Sequence, residues 1–498
     1  MKPPSINGFY DGPASQAADE AAREGIPIAG FDLMRRAAQE ALRVIVAEYP
    51  EANKLLVVCG KGNNGGDGYL LASLAVAQGI AATVVSIVDP SELSGDAVLA
   101  YEEACDLGIA CLENMDELDL DAFDVVVDAM LGTGFRDEAR PPFAEAITQI
   151  NESKSPVVAI DLPSGVNAST GASSNGVQAD HTVTFITQKV GTSTGPGRSL
   201  AGRVHFCDLG VPRHLLHTPF ALPCHWYGGA LPQPGTNAYK HQMGHVLIAG
   251  GDLGMPGAVA MAAEAALRVG AGMVTIATRV EHADAMLARI PEAMTLDPEA
   301  DDFADRLSNF DVVVLGPGLG RKSWGSGLYQ KVEASKVPVV LDADGLFLLS
   351  QNKRWHGGQL VMTPHSAEAA RLLDGSVSDI DADRFASAKA LGEQYQTRVN
   401  LKGPGSVLRL QSRIEICVHG NPGMATAGMG DVLSGIVGGV LAGAYRSTAT
   451  EDEKDQLFSA AVALHSKAAD HAASQVGMRS LVATDVIRAL PATMLADV

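Results

Sequence analysis

Cys59-Gly60-Lys61-Gly62-Asn63-Asn64-Gly65-Gly66-Asp67-Gly68-Tyr69 joins an apolar run at 55–59 to a helical pattern at 69–78, and another apolar run follows at 83–88. Strand, glycine-rich turn, helix, strand is a βαβ rhythm. Glycines at such a turn let backbone N–H groups approach a ligand, and the following helix N-terminus favours negative charge. The rhythm continues outward, with strand candidates at 124–130, 156–162, 181–186 and 204–209 and amphipathic helices ahead of it at 14–24 and 31–48. This alternation predicts a largely parallel sheet with helices on both faces, a Rossmann-like three-layer α/β/α unit. From 211 to 241 the pattern dissolves into prolines and glycines. A second rhythm then begins, with strands at 245–249, 273–278, 311–315 and 338–341 and a helix at 259–269. The expected organisation is therefore two α/β domains, 1–215 and 241–498, with a linker over 216–240.

At 498 residues the chain exceeds what one core usually serves, and 46% hydrophobic with 19% charged residues is an ordinary globular composition. A formal charge of −21 argues against nucleic acid as a partner, because the phosphate backbone would be repelled at long range. The six cysteines are scattered without a CxxC pair and read as reduced core thiols. No signal-like start and no membrane-spanning apolar run is visible. A cytoplasmic protein without membrane partners is expected, and a homo-oligomer.

Asn63, Asn64 and Asp67 are more polar than a phosphate-binding turn requires, and their oxygens suit a cation or a ligand's polar edge. Two further strand candidates end in acids: Asp128 before Leu131-Gly132-Thr133-Gly134-Phe135-Arg136, and Asp161 before Leu162-Pro163-Ser164-Gly165. Each alone could be a cap or turn residue. In a parallel sheet, however, the carboxyl ends of the strands share one crevice, so the three loops should converge.

GNNGGDG, LGTGF and VAIDLPSGVNASTG together resemble the YjeF-type N-terminal domain, the NAD(P)H-hydrate epimerase, over about residues 15–215. The resemblance implies a potassium ion held by Asn64, Asp128 and Ser164. It implies a hydrated nicotinamide nucleotide (NADHX or NADPHX) contacted by Asn63, Asn64, Gly65, Gly66 and Asp67, by Gly132, Thr133, Gly134, Phe135, Arg136, Asp137 and Glu138, and by Asp161. Epimerisation at the hydrated carbon needs an acid/base group beside the ring, and Asp161 is the candidate. Leu33-Met34-Arg35-Arg36-Ala37-Ala38 departs from the family's commoner Glu-Arg-Ala-Gly run, which bears on the lid of the site and on subunit packing.

In the second half, Gly420-Asn421-Pro422-Gly423-Met424-Ala425-Thr426-Ala427-Gly428-Met429-Gly430-Asp431 runs into an apolar helix. Consecutive N–H groups at that helix start form an anion hole for phosphate. Asp431, in the first turn, is placed to exchange a proton with a hydroxyl held there, although capping alone would also account for it. Leu401-Lys402-Gly403-Pro404-Gly405-Ser406 is a strand-to-turn element whose lysine and backbone suit nucleotide phosphates. The loops at 250–258 and 316–320, and Thr363-Pro364-His365, should open on the same sheet edge.

GPGLG, LDADGL, TPH, KGPGS and NPGMATAGMGD resemble the ribokinase-like ADP-dependent NAD(P)H-hydrate dehydratase, from about residue 225 to the end. The resemblance implies a ribokinase-like α/β fold, with ADP held by Lys402, Gly403, Pro404, Gly405, Ser406 and Gly430. The hydrated dinucleotide would meet Ala258, Gly318 or Gly320, His365 and Asp431. Magnesium and ADP would drive the loss of water from the S form, giving AMP and phosphate, with Asp431 as base. Ser366 and Ser406 stand where the family more often has proline and threonine. The two halves together resemble a bifunctional NAD(P)H-hydrate repair enzyme.

Three other readings remain open on the residues. A small-molecule kinase would share the second half's fold, and a NAD-dependent oxidoreductase would use Gly60, Gly62 and Gly65 as G-x-G-x-x-G. The first half could also be a non-catalytic binding module.

Overall fold

The computed structural model describes residues 8–25, 30–116, 118–136, 138–227, 229–447 and 449–495. The chain divides into two compact units, 1–222 and 223–498.

The first unit is built on seven parallel strands in the spatial order Ala110–Leu112, Ala81–Ser86, Lys54–Cys59, Val125–Ala129, Val157–Ile160, His181–Phe185, Arg203–Cys207. Within strand Lys54–Cys59, residues 55–59 read as an unbroken apolar run because both faces are covered. Leu55, Val57 and Cys59 join the core beneath helices Gly12–Gly25, Gly30–Glu48 and Asn63–Ala77, whereas Leu56 and Val58 join the core beneath helix Phe143–Glu152. The chain steps outward one way from Lys54–Cys59 and then resumes on its other side with Val125–Ala129. The strand order thus reverses between these two, and the crevice at their carboxyl ends is where such sheets bind ligands.

Three glycines of the first loop are there for packing. A Cβ on Gly60 would stand 1.9 Å from the Met130 carbonyl oxygen, one on Gly65 1.9 Å from that of Gly60, and one on Gly68 2.6 Å from the Ala129 Cβ. They let helix Asn63–Ala77 leave the sheet at once. Gly62 has open space around its Cβ position and an ordinary φ of −94°.

The second unit carries a ten-stranded sheet in the order Leu222–Cys224, Ile414–Cys417, Val407–Arg409, Arg398–Leu401, Leu360–Met362, Val339–Leu341, Val312–Leu315, His245–Ala249, Met273–Ala277, Met294–Leu296. From Arg398–Leu401 to Met294–Leu296 every pairing is parallel, and Val407–Arg409 and Ile414–Cys417 extend the sheet antiparallel. Helix Met429–Arg446 has glycines at 435, 438 and 439 that let it lie close to helix Pro256–Arg268 and the sheet: a Cβ on Gly435 would stand 2.1 Å from the Ala262 carbonyl oxygen, and one on Gly438 2.3 Å from a Val314 methyl.

The segment 216–240, expected as a linker, is not free chain throughout. The Phe9 N–H donates to the Ala221 carbonyl at 2.7 Å, Leu222–Cys224 forms the edge of the second sheet, and Trp226 and Leu231 are buried in the second core. Its prolines and glycines hid these anchors, because the edge strand is three residues long and has no period to read. Among the described residues no helix is long and apolar enough to cross a membrane.

Candidate functional site

In the first unit the three strand-end loops meet at a cavity of about 490 Å³. Its wall includes Asn63, Asn64 and Asp67 of the first loop, Gly132, Thr133, Gly134 and Phe135 of the second, and Asp161 of the third. Gln16, Asp19 and Arg23 of helix Gly12–Gly25 and Leu33, Met34 and Ala37 of helix Gly30–Glu48 close another side. Not every expected residue lines it. Gly65 and Gly66 are packed against Gly60 and Met34, while Arg136 and Glu138 are exposed, the Arg136 carbonyl accepting from Asn167 Nδ2 at 3.0 Å. Asp137 lies outside the described residues.

Asp161 follows strand Val157–Ile160 with φ of 65°, a left-handed conformation that a non-glycine residue adopts at a cost of about 1–3 kcal/mol. The surroundings enforce it: its N–H donates to the Val183 carbonyl at 2.7 Å. Its Oδ1 accepts from Lys189 Nζ, from Thr184 Oγ1 at 3.2 Å and from the Phe185 N–H at 3.4 Å. All these bonds fall on Oδ1, and none of them on Oδ2. Lys189 is 1% exposed and also donates to the Phe185 carbonyl at 2.7 Å. Ile186, another wall residue, has φ of 61°. Beside Asp161, burial raises the carboxyl of Asp67 well above its ordinary value, reinforced by Asp161 and Asp19, and burial likewise lifts Asp19 to about 6. Asp161, held by a buried lysine, thus faces two carboxyls that burial raises.

Behind the cavity lies a second polar cluster. Asp128 is fully buried; its Oδ1 accepts from Ser164 Oγ at 2.6 Å and its Oδ2 from the Ser164 N–H at 2.7 Å. Ser164 Oγ in turn accepts from the Leu131 N–H at 2.9 Å, and Asn64 Nδ2 donates to the Leu131 carbonyl at 3.1 Å. Burial pushes Asp128 up to about 6 against the pull of these bonds, and no ion pair to it is formed among the described residues. Asn64 Oδ1 is buried without a partner. An orphaned amide oxygen near an unneutralised carboxylate and a hydroxyl is a donor set that fits a hard cation.

In the second unit the loops after five neighbouring parallel strands open on one edge. A Cβ on Gly318 would lie 3.2 Å from that of Ala258, and one on Gly430 3.4 Å from Asp342 Oδ2 and 3.5 Å from Lys402 Nζ. His365 and Lys402 are joined by a parallel β-bridge. Asp431 stands in the first turn of helix Met429–Arg446, and burial, then the Asp342 charge, lifts its carboxyl to about 6. The loop before the helix is held by Asp470, which accepts from the Gly420 N–H at 3.0 Å and from Asn421 Nδ2 at 2.9 Å.

Two expected residues take on local duties. His365 caps helix Ser366–Leu373, its Nδ1 accepting from the Ala367 N–H at 3.1 Å while Glu368 Oε2 accepts from its own N–H at 2.8 Å. Lys402 Nζ turns inward, 2.7 Å from Asp342 Oδ1 and 3.8 Å from Glu368 Oε2. Asp342 is 1% exposed and also accepts from Ser434 Oγ at 2.6 Å, which ties the lysine to helix Met429–Arg446. Burial raises Glu368 to about 7 although Lys402 pulls it down.

Lys189, Asp19, Glu368 and Ser434 escaped the sequence reading, and Asp342 was seen within LDADGL without a role. No local motif marks the first four. For Asp342, an acid closing a strand candidate was the available signal, as it was for Asp128 and Asp161.

A family model described as NAD(P)H-hydrate dehydratase matches residues 246–492, and one described as YjeF-related protein N-terminus matches 30–191. The chain is 41% identical over 92% of its length to the bifunctional NAD(P)H-hydrate repair enzyme Nnr of Coxiella burnetii, covering 94% of that protein. It is 39% identical over 94% of its length to the enzyme of the same name from Escherichia coli, covering 91% of it. Among solved structures it resembles the ADP/ATP-dependent NAD(P)H-hydrate dehydratase of Bacillus subtilis, at 26% identity and a TM-score of 0.47, over 54% of this chain and 95% of that one. With both units matched and relatives aligned along nearly its whole length, the chain belongs to the family of bifunctional NAD(P)H-hydrate repair enzymes.

Proposed function

We propose that the first unit interconverts the R and S forms of hydrated NADH and NADPH, and that the second dehydrates the S form to the intact cofactor at the expense of ADP, releasing AMP and phosphate. The observation that carries this reading is Asp161, held in a left-handed conformation on a cavity wall with Lys189 braced against one oxygen. Lys189 and Thr184 fix Oδ1, so Oδ2 is the atom that takes and returns the proton as the hydrated carbon loses and regains its configuration. Asp67, whose carboxyl burial raises above its ordinary value, supplies the acid. Asn63, Gly132, Thr133, Gly134 and Phe135 line the nucleotide's path.

Potassium fits the donor set of Asn64, Asp128 and Ser164, and would supply positive charge beneath the site where phosphates gather. In the second unit Gly430 and the turn Gly403, Pro404, Gly405 and Ser406 cradle the nucleotide. Ala258, Gly318 or Gly320, and His365 meet the hydrated dinucleotide, and Asp431 takes the proton of its hydroxyl. Magnesium, bound with the nucleotide, would offset phosphate charge. Because Lys402 is engaged by Asp342 and Glu368, its part is to hold the turn and the anion-hole helix together. A cytoplasmic location accords with six cysteines none of which forms a disulfide, and a homo-oligomer with small-molecule substrates completes the reading.

The test is to incubate the protein with both NADH-hydrate epimers, ADP and magnesium, and to follow return of the reduced nicotinamide's absorbance. Complete return is expected. Asp431→Ala should abolish the return and leave epimer exchange intact, whereas Asp161→Ala should abolish epimer exchange and stop the return once the S form is consumed. Loss of both activities in either folded variant refutes this division of labour.

A further inference from the structure

Glu48, His181 and His205 form a cluster that the site above does not use. Glu48 ends helix Gly30–Glu48, His181 opens strand His181–Phe185, and His205 lies in the neighbouring strand Arg203–Cys207. In the parallel register Val183 faces His205, so both imidazoles stand on the sheet face that this helix covers. His181 Nδ1 is 2.9 Å from His205 Nε2, and His205 Nε2 is 3.9 Å from Glu48 Oε1. The three ligand atoms all lie within 4.8 Å of one another, a grouping found at this one place among the described residues.

From this geometry we infer a binding site for a zinc-class divalent transition metal, with two imidazole nitrogens and one carboxylate oxygen as ligands. Ligands at about 2.0–2.2 Å from a zinc ion stand roughly 3.4 Å apart in a tetrahedron, so capture needs movements of about 1 Å or less. Glu48 Oε1 also accepts from Arg203 Nη1 at 3.1 Å, and a carboxylate oxygen has lone pairs for both. The Tyr49 ring meets His181 edge-on at 5.6 Å between centroids and limits its rotation. All three residues are half-buried, which leaves a coordination position for water. Two imidazoles with one carboxylate are a set that zinc favours over magnesium or calcium. The ion would pin the carboxyl end of a helix whose other end, through Gly30, Leu33, Met34 and Ala37, walls the cavity.

The test is calorimetric titration of zinc chloride into the full chain, repeated with cobalt and visible spectroscopy. One equivalent per chain is expected, with cobalt d–d bands typical of nitrogen and oxygen ligands. His205→Gln and Glu48→Gln should each weaken binding by about 100-fold or more. Circular dichroism checks that each variant is folded; should His205→Gln unfold, Glu48→Gln at the helix end decides. No zinc binding at micromolar concentrations, binding undiminished in the folded variants, or sulfur-to-cobalt charge-transfer bands would each overturn the assignment.

Discussion

Lys402→Met would strand two buried carboxylates. Its ammonium is 2.7 Å from Asp342, which is 1% exposed, and 3.8 Å from Glu368, which is 7% exposed. Methionine fills the stem but leaves both acids without their cation. Removing one partner from a buried ion pair costs about 3–5 kcal/mol, because the remaining charge has neither water nor counter-ion. With a urea dependence of about 3 kcal/mol per molar, that is a loss of roughly 1 M or more in midpoint. All three tryptophans, Trp226, Trp324 and Trp355, lie in the second unit, so tryptophan fluorescence reports its unfolding alone. The deficit should also depend on pH. Glu368 already titrates at about 7 in the folded chain, against an ordinary 4.5, and losing Lys402 raises it further. Between those values the native state holds a proton that the unfolded state has released, so stability falls as pH rises through that window. The variant's deficit should be largest near about pH 8 and shrink toward about pH 5. Glu368→Gln in the same chain should recover part of it. A midpoint within about 0.3 M of the parent's near pH 8 would refute the claim that this lysine neutralises buried charge.

Gly60→Ala should destabilise the first unit by several kcal/mol, because its Cβ would sit 1.9 Å from the Met130 carbonyl oxygen, whereas Gly62→Ala, with nothing within 4 Å, should unfold like the parent; circular dichroism melts compare them. With Asp431 at about 6 and needed in its ionised form, the dehydration rate should fall about tenfold per pH unit below that value and level off above it. A rate unchanged down to about pH 5 would remove Asp431 as the base. Replacing potassium by choline should slow epimer exchange and lower the first unit's melting temperature, and Asn64→Leu should make both insensitive to the exchange.

The glycine turn, the acids closing strands and the anion-hole helix were legible in order because each is a local pattern, a period of two or of 3.6 punctuated by glycine. From them follow two α/β units and the crevice that brings Asn64, Asp67, Gly132 and Asp161 together, since parallel strands must present their carboxyl ends on one side. Read alone, the glycines at 60, 62 and 65 looked equivalent; the structure separates two that backbone crowding demands from one that faces open space.

What no pattern held was the pairing of polar and charged side chains far apart in sequence. Lys189 reaches Asp161 across 28 residues, Lys402 reaches Asp342 across 60, and Ser434 reaches Asp342 across 92. Lys189 follows the strand beside that of Asp161, Lys402 and Asp342 follow strands with one other between them, and Ser434 stands on a helix, so each meeting depends on how a whole unit packs. The sequence by itself determined which backbone cradles this protein can form. The tertiary structure alone decided which oxygen of Asp161 is braced, that Lys402 turns inward, and where a buried amide oxygen is left waiting, because those outcomes depend on desolvation and on neighbours contributed by distant strands.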